Sequence, residues 1–251
     1  MENFMSVTTQ SVDIPLPQGG TMKGYLARPE GEETLPGVLV FMEIFGVNSH
    51  IRDVTERIAA EGFVALAPDY FHRTGAGMEL NYDDDGMAEG MSHLGQLQAD
   101  QMISDAQTAK DFLEARGDVG GAGIGAIGFC IGGHMTYLAA CETGLKAAAS
   151  FYGGGIAAPA GPGGGASTLS RTSGISGRIE CYFGQQDSMI PMEQVEAVRE
   201  ALEGAGTAHD VHVYPDADHG FNCDQRGTFH AASAEDAWAR SLALFNSELR
   251  D

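Results

Sequence analysis

A chain of 251 residues that is 43% hydrophobic can bury a sizeable core, and we expect residues 1–251 to form one α/β domain. Its 14 basic against 35 acidic residues leave a formal charge of −21, a field that repels phosphate backbones and anionic membranes and argues against nucleic acid as a partner. The first ten residues carry no basic stretch followed by an apolar run, and no apolar stretch approaches the length of a membrane helix, so the expectation is a cytoplasmic protein with no membrane association.

In chain order, residues 11–29 contain two short alternating runs around Gln18-Gly19-Gly20 and read as a β-hairpin. Residues 35–42 form a continuous apolar run, the pattern of a parallel strand buried on both faces, which stops at Glu43. Asn48 or Ser49 caps a helix that ends at Gly62, and a second apolar run follows at 63–68. Strand, helix, strand in that order implies a parallel βαβ unit. Residues 74–92 are rich in Gly, Asp and Glu without periodicity and read as a long loop near the opening of a site. Helical spacing returns over 95–114, a strand over 122–129, the start of a helix over 134–141 and a strand over 145–152. The Gly-rich stretch 153–177 reads as a flexible excursion over the sheet's C-terminal edge. Strands at 178–183 and 211–214 and helices at 192–203 and 235–249 complete an α/β order with no internal repeat.

The segment 123–133, GIGAIGFCIGG, allows two readings. Gly123, Gly125 and Gly128 fit the dinucleotide pattern G-x-G-x-x-G, which would make the chain a dehydrogenase. That turn needs its glycines after a strand and opening a helix, so that backbone N–H groups meet a pyrophosphate. Here a helix end and a turn precede Gly123, and the strand comes among the glycines. Gly128, Cys130, Gly132 and Gly133 instead follow the order strand, tight turn, helix, which is that of a nucleophile elbow. The nucleophile takes a strained backbone there, so residues two positions either side must be small; a buried cysteine beside packing glycines is the plainer alternative.

A thiol nucleophile needs a base, and the base an orienting acid. Asp187 follows the strand 178–183 and His219 follows the strand 211–214, so Cys130, Asp187 and His219 are expected at one edge of one parallel sheet. Asp216 and Asp218 compete as the acid but read better as turn formers on the loop of His219. Glu43, a carboxylate ending an apolar strand at that edge, is costly unless paired, with Arg52 for example, or functional.

At Met42-Glu43-Ile44-Phe-Gly-Val-Asn48, Ala67-Pro-Asp-Tyr70, Gly128-Phe-Cys-Ile-Gly-Gly133 and Asp218-His-Gly-Phe221, in that order, the sequence resembles the dienelactone hydrolase family, the carboxymethylenebutenolidases. The resemblance implies an α/β-hydrolase fold, a mostly parallel central sheet flanked by helices, and hydrolysis of a lactone or carboxylic ester through a thioester on Cys130. It implies His219 as base, Asp187 as its partner, the Ile44 and Ile131 N–H groups as oxyanion hole, and Glu43 as the group that helps deprotonate the cysteine. It further suggests Tyr152 as a substrate-pocket residue. The family clamps a substrate carboxylate with two arginines, and here the sequence departs: residues 74–96 hold no arginine or lysine, and the position four beyond His219 is Cys223. Arg73 and Arg226 could substitute, and Cys223 is a candidate for the pocket wall. A carboxylesterase for small neutral esters is the alternative.

Other features carry less. The four cysteines, Cys130, Cys141, Cys181 and Cys223, form no C-x-x-C pair and read as reduced thiols, Cys141 and Cys181 in the core. Residues 81–92 begin like a calcium loop, but the twelfth position is Ser92 where a glutamate is required. His209 and His212 fall on opposite faces of a strand, and His134 is expected on a helix surface. No metal or cofactor is expected, and the partner is a small-molecule lactone or ester, with monomer or homodimer both open. A non-catalytic binding protein on the same fold would lack acylation by any activated ester.

Overall fold

The computed structural model describes residues 6–250. Strands β1 (Val7–Pro15) and β2 (Thr21–Pro29) form the expected hairpin, with Gly19 and Gly20 at φ 91° and 83° in its turn, a region glycine enters without Cβ strain. With β3 (Leu35–Phe41), β4 (Val64–Pro68), β5 (Val119–Phe129), β6 (Ala147–Phe151), β7 (Arg178–Gly184) and β8 (His209–Tyr214) they make one eight-stranded sheet in the order β1-β2-β4-β3-β5-β6-β7-β8. The pairs β1–β2 and β2–β4 are antiparallel and all others parallel. The C-terminal ends of β3, β5, β7 and β8 therefore share one edge, where open α/β sheets place their sites.

Among the described residues there are six α-helices, α1 (Ser49–Ala60), α2 (Asp84–Leu94), α3 (Ala99–Glu114), α4 (Ile131–Glu142), α5 (Met192–Ala205) and α6 (Ala231–Leu249), of which all but α2 pack on the sheet. Asn48 caps α1, its Oδ1 accepting from Ile51 N–H at 3.2 Å. Glycines in β5 mark close approach on both faces: a Cβ on Gly125 would meet Leu249 and Phe245 of α6, and one on Gly128 would meet Gly132 and Thr136 of α4. Arg57 of α1 stacks 4.0 Å from the Trp238 ring of α6, so α1 and α6 share a face, while α3 packs beside α4 on the other. Residues 131–141 of α4 are all buried, which matches its near-continuous apolar sequence. Phe129, Phe151 and Tyr182 stack across β5, β6 and β7 with centroids 4.9 and 4.5 Å apart, each buried ring contributing about 1.5–3 kcal/mol.

Three expectations change. Residues 74–92 are not all loop: Asp83 caps α2 by accepting from Gly86 N–H at 2.8 Å, and Asp84 and Asp85 lie in its first turn, where acids suit the helix dipole. β5 begins at Val119, so Gly123 and Gly125 lie inside a strand and cannot cradle a pyrophosphate, which ends the dinucleotide reading. The excursion 153–177 contains 3₁₀ segments at Pro162–Gly164 and Thr168–Gly174 and is pinned to α4, where the hydroxyls of Tyr137 and Thr172 lie 2.7 Å apart.

Candidate active site

β5 delivers Cys130 into a sharp turn at φ 58°, ψ −120°, a conformation costly for an L-residue. Backbone bonds hold it there: Cys130 N–H donates to Phe151 O at 3.1 Å, and the N–H groups of Gly133 and His134 donate to Cys130 O at 2.9 and 3.2 Å. The close approach explains the flanking glycines. A Cβ on Gly128 would lie 2.1 Å from Gly132 O, and one on Gly132 would lie 2.2 Å from Phe41 O. Cys130 is half-buried, whereas Cys141, Cys181 and Cys223 are buried.

The loops after β7 and β8 bring Asp187 and His219 to the same edge. His219 Nδ1–H donates to Asp187 Oδ2 at 2.8 Å, and Asp187 Oδ1 accepts from Met189 N–H at 2.8 Å. Asp218 is a turn former, its carboxylate accepting from His219 N–H at 2.6 Å, and Asp216 is exposed. The second nitrogen of His219, Nε2, is buried without a hydrogen-bond partner. Burial works against an imidazolium at His219, but the sulfur of Cys130 and the carboxylate of Asp187 outweigh it and raise its pKa to about 10.

Glu43 is wholly buried where β3 ends. Its partner is not Arg52, which binds Glu79 at 2.6 Å, but Arg226, whose Nη1 donates to Glu43 Oε1 at 3.2 Å, while Tyr82 O–H donates to Oε2 at 2.8 Å. Burial opposes the Arg226 charge, yet Glu43 outweighs it and raises the Arg226 pKa. Cys223 sits beneath this pair, its thiol pushed up to about 12 by burial and by Glu43. Among the described residues the N–H groups of Ile44 and Ile131 donate no backbone hydrogen bond. Tyr152, at φ 37°, packs its ring 5.2 Å from that of His219 and leaves its buried hydroxyl unpartnered.

Arg73 is elsewhere. Its guanidinium binds Asp105 through both Nη atoms, Nη2 at 2.8 Å, and it does not line the space at Cys130. That space is a cavity of about 340 Å³ bounded by Cys130, His219, Leu94, Leu97, Pro162 and Met189, among others. No Lys, Arg, Asp or Glu lines it. A cavity of about 270 Å³ bounded by Lys23, Arg52 and Glu79 contains none of the catalytic candidates.

Three side chains of the site escape the sequence reading. Leu94 belongs to α2, and Met87, Met91 and Leu94 at i, i+4, i+7 were its signal. Tyr82 lies in a run that reads as an acidic loop, and nothing in the sequence ties it to Glu43. His50 falls on the buried stripe His50, Val54, Ile58 of α1, a spacing that marks it as inward-facing.

His134 faces inward, contrary to expectation, because α4 is covered on every side. Its Nδ1–H donates to Gly154 O at 2.9 Å and its Nε2 accepts from Thr168 Oγ1 at 2.7 Å, tying the Gly-rich excursion to α4. Burial lowers its pKa to about 4, only partly opposed by the Gly154 carbonyl. The folded state therefore holds neutral imidazole, and the unfolded chain takes up the proton first as pH falls below about 6.5. His134 thus contributes stability that is complete above pH 6.5 and is lost as pH falls towards 4. Urea unfolding at pH 7 and pH 4.5 should show the wild type losing about 2 kcal/mol more than His134→Gln over that interval; equal losses in the two proteins would refute the assignment.

The mostly parallel sheet, with its strained turn after β5 and its acid and histidine after later strands, is that of an α/β hydrolase. The model of the dienelactone hydrolase family matches residues 22–249, and the chain belongs to that family. It is 41% identical over 246 residues to a Synechocystis protein provisionally named a carboxymethylenebutenolidase, covering 98% of this chain and 99% of that one. It is 37% identical over 238 residues to an Escherichia coli protein of the same provisional name, covering 91% and 83%. A Klebsiella pneumoniae structure described provisionally as a dienelactone hydrolase superposes with a TM-score of 0.86 at 33% identity, covering 96% and 98%. The chain is accordingly a hydrolase of the dienelactone hydrolase type. Among the described residues no helix is long and apolar enough to cross a membrane.

Proposed function

We propose that the protein cleaves a lactone or carboxylic ester through a Cys130–His219–Asp187 triad and a thioester intermediate. The observation that carries this reading is the strained Cys130 turn beside a histidine whose far nitrogen is held by Asp187 at 2.8 Å and whose near nitrogen has no partner. The thiolate of Cys130 attacks the carbonyl carbon, and the oxyanion is held by the N–H groups of Ile44 and Ile131. The tetrahedral adduct collapses by breaking the C–O bond, and the imidazolium of His219 gives its proton to the departing alkoxide. Water then adds to the thioester as His219 takes its proton, and expulsion of Cys130 frees the carboxylic acid product. Glu43, buried at the end of the strand beside the nucleophile's, serves as the auxiliary base for the thiol, and Arg226 and Tyr82 hold it ready. Tyr152 packs the histidine ring from below the cavity, holding it in place.

A second reading, a carboxylesterase for neutral esters, is favoured by the cavity itself. No Lys or Arg lines it, Arg73 is committed to Asp105 and Arg226 to Glu43, and the formal charge of −21 repels anions. Comparing dienelactone, which carries a carboxylate, with a neutral p-nitrophenyl ester of similar size is expected to give a kcat/KM at least about tenfold higher for the neutral ester. The opposite preference would mean that Arg226 leaves Glu43 to clamp the carboxylate, and would restore the family's substrate.

A further inference from the structure

Beside the catalytic edge lies a cluster that hydrolysis does not use as such. Glu43, His50 and Cys223 come from the end of β3, the first turn of α1 and the loop after β8, and one ligand atom of each lies within 4.8 Å of the others. All three are buried, at 0%, 1% and 0% exposure. Among the described residues no other trio of His, Cys, Asp and Glu gathers this closely. Both ring nitrogens of His50 are buried without a hydrogen-bond partner, although buried imidazoles are ordinarily satisfied. A Phe129 ring 6.0 Å away packs the imidazole without offering it a polar partner.

We propose that Glu43, His50 and Cys223 form a binding site for a borderline-soft divalent cation such as Zn²⁺. One carboxylate oxygen, one imidazole nitrogen and one thiolate are a ligand set this ion accepts, with a fourth position left for water or substrate oxygen. The donor atoms lie within 4.8 Å of one another, so their separations need to shorten by no more than about 1–1.5 Å to reach the roughly 3.3–3.8 Å between ligands of a tetrahedral ion with bonds of about 2.0–2.3 Å. Charge supports the set: burial lowers the pKa of the imidazole and so favours the neutral form that binds a metal, and the thiol loses its proton to solvent as the sulfur–metal bond forms. The guanidinium of Arg226, 3.2 Å from Glu43, is released as the cation replaces it. Asp224, exposed on the same loop as Cys223, places Oδ1 3.9 Å from His50 Nδ1 and lies between the cluster and the surface.

Such a site couples metal to hydrolysis, because an ion on Glu43 withdraws the carboxylate that serves Cys130, so Zn²⁺ acts as a reversible inhibitor. That consequence rests on the reading above, but the binding does not, and the test separates them. Co²⁺ is titrated into the reduced Cys130→Ser protein, whose catalytic thiol cannot contribute. The expected result is one thiolate-to-cobalt charge-transfer absorption per chain, displaced by Zn²⁺, absent in Cys130→Ser/Cys223→Ser and weakened about tenfold or more in affinity in Cys130→Ser/His50→Gln. No charge-transfer band, or a band that survives loss of Cys223, would overturn the site whether or not the wild type hydrolyses esters. In proteins with Cys130 intact, Zn²⁺ inhibition is expected to be at least about tenfold weaker in Cys223→Ser than in wild type.

Discussion

Cys130→Ala is expected to lower kcat/KM towards an activated ester by about 10⁵–10⁶-fold, the scale seen when the nucleophile of a triad is removed. Cys130 is half-buried and its turn is held by backbone bonds to Phe151, Gly133 and His134, so the variant should fold and melt near the wild type. The loss then reports chemistry and not unfolding. In the wild type, rapid quenching with an activated ester should leave one acyl group on the peptide that contains Cys130. The other thiols should stay unmodified, since Cys141, Cys181 and Cys223 are buried with pKa values pushed up, chiefly by that burial. Turnover in Cys130→Ala within about tenfold of the wild type, or acylation at another cysteine, would remove the thioester from the mechanism.

Gly132→Ala is expected to damage stability and activity together. The added methyl would lie 2.2 Å from Phe41 O and 2.5 Å from Met42 O, both backbone atoms at the end of β3. Backbone cannot swing aside as a flexible side chain does, so the start of α4 must move away from β3, at a cost of about 3 kcal/mol or more. For a chain of this size that lowers Tm by about 6–12 °C. The same displacement separates the N–H of Ile131, at the start of α4, from that of Ile44, just beyond β3. Losing the registry of one oxyanion donor should lower kcat by about 10²–10³-fold with a smaller change in KM. Gly204→Ala is the control: nothing lies within 4 Å of its Cβ position on the exposed end of α5, and both Tm and kcat should be retained. A Gly132→Ala protein that melts and turns over like the control would show that the elbow tolerates a side chain there.

Much of this architecture is local and therefore readable. Continuous apolar runs marked β3 and β4, Asn48 or Ser49 marked the start of α1, and the order of elements implied a parallel sheet whose C-terminal edge collects residues at strand ends. Cys130, Asp187 and His219 are each one short loop past a strand, so their arrival at one edge follows from element order alone. What failed was periodicity in glycine-rich chain. The run 81–94 obscures α2 because Gly86 and Gly90 stand on its buried face, leaving only the apolar spacing Met87, Met91, Leu94 to mark the helix. Both glycines are there for close approach, a Cβ on Gly90 meeting Ile44 O at 2.7 Å and one on Gly86 meeting Asn81 O at 2.1 Å. His134 was misplaced because a surface helix was assumed, and the 3₁₀ segment that covers α4 has no pattern of its own.

By itself, then, the sequence determined the α/β order, the elbow and the three residues that ride on strand ends, because each depends on spacing within a few residues. Tertiary structure alone decided the partners of Glu43. Arg226 reaches it across 183 residues and Tyr82 across 39, whereas Arg52, its neighbour in the chain, turns to Glu79. Tertiary structure alone also decided that Arg73 is spent on Asp105, that no Lys or Arg lines the cavity at Cys130, and that His50 and Cys223 meet Glu43. A buried charge takes whichever opposite charge the fold brings within hydrogen-bonding reach, and that choice is made by the packing of distant segments after the local elements have formed.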